Sequence, residues 1–231
     1  MDGFEIIEAD LEAFTEREAE RRFRDLLWAE AARTGIVQSQ IHAPSAIHVP
    51  DGGLDAIVED AAPSSEDIIP AGTSGFQIKS SDVTNCRNEV TTGEGELHRR
   101  IANVLDDGGT YVLVIFEQLA YANEDMGQNK LKERKEGMEA VFADFDYPDA
   151  NVRVYDSNKL VGFFNRFPGL VARIRGIGQA VDYTTWGREI TSEIETFVSD
   201  DARAVALIRF VKDSESPTTG ALRYGSQDRR A

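Results

Sequence analysis

The sequence predicts an α/β protein with a central mixed β-sheet flanked by helices. Three observations predict it. The run Thr110 to Phe116 (TYVLVIF) is almost wholly apolar, β-branched or aromatic, as a strand buried on both faces must be. Two shorter strand-like runs, Leu54 to Glu59 and Gly75 to Lys79, lie either side of a loop rich in Pro, Ser and acids, and read as an antiparallel pair. Amphipathic helical segments alternate with the strands that follow. At 231 residues, 41% of them apolar and 9% aromatic, the chain is long enough to bury a core.

The elements follow in order. Residues 1–13 read as an acidic N-terminal tail. Thr15 and Glu18 stand at the capping-box spacing. Ala19, Phe23, Leu26, Leu27 and Ala31 then recur every three or four residues, which predicts a helix ending near Gly35. Short apolar runs follow at Ile36–Ile41 and Ala46–Val49, and Pro50-Asp51-Gly52-Gly53 makes a sharp turn. Glu94–Leu105 reads as a helix, Asn129–Phe142 as a second, Val152–Tyr155 as a strand, and Ser157–Arg166 and Pro168–Ile174 as short helices. Residues 14–176 form the predicted main domain. Residues 177–231 are expected to be a helical extension, with helices at Ile190–Val198 and Arg203–Lys212, and a polar tail.

No window approaches 18 apolar residues, so no membrane-spanning helix is expected. The acidic start, MDGFEIIEADLEAF, lacks the features of a secretory signal, and the lone Cys86 excludes a disulfide framework. A cytoplasmic location is expected. The chain carries 41 acidic and 25 basic residues, a net charge of −16, with 19 arginines against 6 lysines. An acidic, lysine-poor surface suits a halophilic cytoplasm, where the screening length falls to about 3 Å at 1 M salt. Global charge therefore decides little about nucleic-acid binding. Local charge differs: between Arg153 and Arg175 five basic residues face one acid, Asp156.

The chemistry concentrates in PDGGLDAIVED and GFQIKSS. Asp55 follows a glycine turn at the start of one strand. Gln77 and Lys79 lie on the next, and period-two geometry puts them on one face. Glu20 lies on the edge of the first helix's apolar face. The chemistry that needs this set is metal-assisted phosphodiester hydrolysis. A carboxylate holds Mg²⁺, a hard cation that prefers oxygen. Lysine stabilises charge that develops on phosphorus. The candidate metal ligands are Asp55, Glu20, Gln77 and the backbone carbonyl of Ile78, with Lys79 as the catalytic ammonium. Histidines 42, 48 and 98 lack metal-binding spacing. Phe163, Phe164 and Phe167 read as core rather than as a base-stacking platform.

DGGLD followed by QIK resembles the PD-(D/E)XK nuclease superfamily, and more narrowly its Mrr-like restriction endonuclease branch, where Q-x-K replaces E-x-K. The helix EREAERRFRDLL resembles that family's first core helix. The resemblance implies a restriction-endonuclease-like fold and Mg²⁺ as cofactor, with Mn²⁺ as a substitute. It implies Asp55 as main metal ligand, Gln77 at the second acidic position, Lys79 as catalytic lysine, and Glu20 completing the shell, with Glu18 its nearest competitor. It further implies double-stranded DNA as substrate, a homodimer or oligomer, and a role in defence against foreign DNA. VRVYDSNKLVGFFNRFPGLVARI is similar to the closing part of nuclease domains at the front of STAND-type defence ATPases. No phosphate-binding G-x-x-x-x-G-K-[ST] occurs, since Ser226 follows Gly225 where lysine would stand. The alternative expectation is a catalytically inactive nuclease-like module that senses nucleic acid or a partner. Gln77, which carries no charge, and the acidic surface favour it.

Overall fold

The computed structural model describes residues 5–43, 52–62, 68–119 and 130–176, which belong to one compact unit. The expected extension over 177–231 and the apolar run 46–49 lie outside these residues. Within them the architecture is α/β, with helices on both faces of a five-stranded mixed sheet.

The chain begins with a short helix α1 (Glu8–Glu12). Ile6 and Leu11 beside and within it are buried in the core, so the expected acidic tail is, from residue 5 on, a packed element. Backbone hydrogen bonds between Ile6 and the Asn165 side chain, and contacts of Arg175 with the Glu5 carbonyl and Asp10, add to these apolar anchors. The long helix α2 (Glu16–Thr34) follows, opened by the Thr15–Glu18 capping box and closed at Gly35. Its buried stripe of Ala19, Phe23, Leu26, Leu27 and Ala31 is the one the periodicity predicts. Each of the larger side chains contributes about 1.5–3 kcal/mol by leaving water.

The sheet runs β1 (Ile41–His42), β2 (Ala56–Ala61), β3 (Gly72–Lys79), β4 (Thr110–Ile115) and β5 (Asn151–Tyr155), in spatial order β1-β2-β3-β4-β5. β1, β2 and β3 pair antiparallel, whereas β3, β4 and β5 pair parallel. β3 is thus the strand where the sheet changes sense. β4 is buried along its full length, as its composition requires. A bulge interrupts β2 between Val58 and Ala61. There Asp60 takes φ of +51° and the Gln40 side-chain amide caps the carbonyls of Glu59 and Asp60.

After β3 come α3 (Cys86–Val90) and α4 (Arg99–Asp106). The expected helix from Glu94 starts five residues later. Thr91 and Leu97 pair across a turn in which Gly95 has φ of +81°, and no helix forms through it. Then α5 (Lys130–Asp144) precedes β5, and α6 (Ser157–Phe164) and α7 (Pro168–Arg175) follow it. One face of the sheet carries α1, α2, α6 and α7, with Phe23, Phe76, Phe116 and Phe164 in its core. The other carries α3, α4 and α5 over Tyr111, Leu113, Ile115, Met138 and Phe142. Phe163 and Phe164 are core and Phe167 packs against it, as the sequence indicated.

Candidate functional site

A glycine turn delivers Asp55 to the sheet. Gly53 has φ of +87°, and a Cβ there would come within 2.8 Å of the His98 ring. Only glycine meets both demands. Leu54 is fully buried and lies over Gly75, where a Cβ would come within 2.6 Å of Leu54 Cδ1. The missing side chain at 75 is therefore what lets Leu54 seat the turn. The Asp55 amide then donates to the Phe76 carbonyl at 2.8 Å.

Antiparallel pairing of Ala56 with Phe76 places Asp55 across from Gln77. The start of β2 and the end of β3 therefore coincide. That end is also the carboxyl end of the parallel strands, the edge at which α/β sheets bind ligands. β2 begins at Ala56, so the Ile78 N–H finds no strand partner on that side. It donates instead to Asp55 Oδ2 at 2.6 Å. The Ile78 carbonyl points along the same edge as its N–H, because both groups of one strand residue face the same neighbour.

Lys79 and Gln77 share the face covered by α3. Lys79 Nζ lies 2.9 Å from Glu89 Oε2 of α3 and 3.8 Å from Glu16 Oε1 of α2. Helices from both layers thus bracket the ammonium, whose side chain keeps 27% of its surface exposed. Burial alone would lower the Lys79 pKa; the hydrogen bond and charge of Glu89, with Glu16 and Asp55, outweigh it and raise the pKa above the ordinary lysine value. Lys79 is accordingly a cation at neutral pH.

Gln77 is buried. Its Nε2 donates to the Glu89 carbonyl at 2.9 Å, and its Oε1 accepts from the Tyr111 hydroxyl. Tyr111 packs edge-on against Phe142 at 5.1 Å. Burial pushes its hydroxyl well above the usual tyrosine range, which keeps it a donor.

The structure therefore brings Asp55, Gln77, Ile78 and Lys79 together. Glu20 is half-buried on α2, and the α2 carboxylate paired with Lys79 is Glu16, one turn before it. Glu18, the competitor, is occupied in capping: its carboxylate accepts from both the Thr15 amide and hydroxyl. Glu16, Glu89 and Tyr111 escaped sequence reasoning. A phenolic hydroxyl inside a fully buried strand was the available signal for Tyr111, since such a group needs a partner. Nothing in the spacing of Glu89 marks it.

The basic stretch from Arg153 to Arg175 is engaged within the chain. Arg173 pairs with Asp25 at 2.9 Å, and Arg175 with Asp10 at 3.1 Å. Lys159 lies over the rings of Tyr155 and Phe163, and Arg166 over Phe163. A hollow of about 340 Å³ opens elsewhere, lined by His42, Glu59, Thr73, Arg100 and Asp107 among others, with none of the four site residues in its wall. Among the described residues no three His, Cys, Asp or Glu side chains are grouped to hold a metal ion, and no helix is long and apolar enough to cross a membrane. Comparison of the chain with protein families, with curated proteins and with solved structures finds no match.

Proposed function

We propose that this chain is a Mg²⁺-dependent DNA endonuclease of the Mrr-like PD-(D/E)XK kind, serving in the cytoplasm against foreign DNA. The carrying observation is the meeting of Asp55 and Lys79 at one end of β2 and β3, with Asp55 tied to the backbone of Ile78. The mixed sheet that changes sense at β3 supports the restriction-endonuclease-like reading.

The donor set bears on the metal. One carboxylate, Asp55, and one carbonyl on the same edge, Ile78, do not enclose a cation. Mg²⁺ is commonly held in just this partial way, by one or two carboxylates with substrate phosphate and water filling the remaining positions. Asp55 and the Ile78 carbonyl fit that mode. When bound, the metal polarises the phosphoryl oxygen and makes water more acidic. The chain's own groups do the rest. Asp55 would hold the ion, with its other carboxylate contact kept on the Ile78 amide. Lys79, held charged between Glu89 and Glu16, faces the charge that develops on the scissile phosphate.

One observation favours the alternative of a non-catalytic nucleic-acid or partner-binding module: both polar atoms of Gln77 are already engaged within the protein. Incubation of the purified chain with supercoiled plasmid in molar salt, with Mg²⁺ or Mn²⁺, separates the two. The nuclease reading expects nicking that chelation of the metal abolishes. Salt-tolerant binding without nicking would overturn it in favour of the sensor.

A further inference from the structure

We propose that Gln77 is a positioning residue rather than a metal ligand: its amide links Tyr111 of β4 to Glu89 of α3, and so sets the Glu89 carboxylate on Lys79. The orientation of the amide is forced. The Glu89 carbonyl can only accept, so the atom 2.9 Å from it must be Nε2. Oε1 then faces the Tyr111 hydroxyl, which donates to it. Nε2 also lies 3.5 Å from Glu89 Oε2, and that same oxygen is 2.9 Å from Lys79 Nζ. The connection runs from the core through one side chain to the backbone of residue 89, and back through its carboxylate to the strand on which Gln77 itself lies.

Each member needs the polarity it has. A carboxylate at 77 would accept from Tyr111 but would offer nothing to the Glu89 carbonyl. It would also set a second negative charge beside the Glu89 carboxylate, in a place only 6% exposed. Gln77 is therefore required in this chain as a group that accepts on one side and donates on the other. It is not a weakened glutamate. The site's second carboxylate comes from α3 and acts through Lys79.

The inference deepens the nuclease reading and rests on it for the activity measurement alone. Three variants of the full chain test it: Gln77→Glu, Glu89→Gln and Tyr111→Phe. Three readouts apply: plasmid cleavage, Mn²⁺ binding by calorimetry without DNA, and NMR exchange of the Gln77 side-chain amide protons. Gln77→Glu, which restores the common E-x-K pattern, is expected to lower cleavage about 10–100-fold, the usual loss when a supporting partner is removed. It is not expected to tighten Mn²⁺. Glu89→Gln should lower cleavage with Mn²⁺ affinity unchanged. Tyr111→Phe keeps the ring on Phe142 and removes only the hydroxyl, so it serves where Gln77→Glu does not fold. It should speed Gln77 amide exchange and lower cleavage. Tighter Mn²⁺ binding or faster cleavage in Gln77→Glu would overturn the proposal, as would weaker Mn²⁺ binding in Glu89→Gln. A wild-type chain that neither cleaves nor binds Mn²⁺ would instead refute the nuclease reading. The link is then judged by the amide protons: exchange at the rate of a free side-chain amide in the wild type would refute it too.

Discussion

Replacing Gly53 by alanine perturbs the site without touching a reacting group. The residue sits at φ of +87°, where an L side chain costs about 1–2 kcal/mol. The added Cβ would stand 2.8 Å from His98 Cγ and Cδ2 and 3.0 Å from His98 Cβ. The ring cannot swing clear of all three contacts, so forced repacking adds about 1–3 kcal/mol. The expected total is about 2–5 kcal/mol. Gly52→Ala is the internal comparison. Its φ is +64°, but its nearest neighbours are the Arg100 methylenes at 3.0 Å, part of a long flexible chain that can shift. Only the backbone share, about 1–2 kcal/mol, should remain there. Urea unfolding at constant m-value measures both. Cleavage should fall in Gly53→Ala more than in Gly52→Ala, because the Asp55 amide and carboxylate contacts with β3 lie just beyond the clash. Equal penalties, or a Gly53→Ala variant within about 0.5 kcal/mol of wild type, would refute the close-approach reasoning.

Two further outcomes follow from packing and charge. Asp82 accepts a bidentate pair from Arg134 at 2.8 and 2.9 Å, which together with Lys130 holds its carboxyl below the usual aspartate value. That stability is present at neutral pH and is lost as pH falls through the folded-state pKa. Asp82→Asn should therefore cost about 1.5–3 kcal/mol at pH 7, and the cost should shrink as the pH is lowered below the ordinary aspartate range, read from urea midpoints along the pH series. Phe76→Ala should cost about 3–5 kcal/mol in the same assay, since the ring is fully buried and packs 5.5 Å from Phe23.

What the sequence made legible follows from how local each feature is. The α2 stripe is long and periodic, β4 is an unbroken apolar run, and Pro168 and Gly176 bound the helix that ends the described chain, so these patterns survive without knowledge of neighbours. β1 is two residues long and α3 five, and neither leaves a period to read. α4 starts later than its pattern suggests because Gly95 adopts a left-handed φ and Thr91 pairs with Leu97, and both stop a helix from forming through that turn. The N-terminal segment was misjudged because acids dominate its composition, whereas Ile6 and Leu11 decide its packing. The site divides in the same way. Asp55, Gln77 and Lys79 were readable because the turn and the strand period fix their placement. Glu89 and Tyr111 reach them only through the tertiary fold, from a short helix and the neighbouring strand. The capping role of Glu18 was visible in its spacing from Thr15, and that spacing also removes it from competition for the metal.

Single-turnover cleavage of duplex DNA in Mg²⁺ by Asp55→Ala and Lys79→Ala beside the wild-type chain, with folding checked by circular dichroism, decides whether these two side chains form the reactive pair. Both variants are expected to fold, and cleavage is expected to be abolished in each. A folded variant of either kind that cuts at the wild-type rate would contradict that pairing.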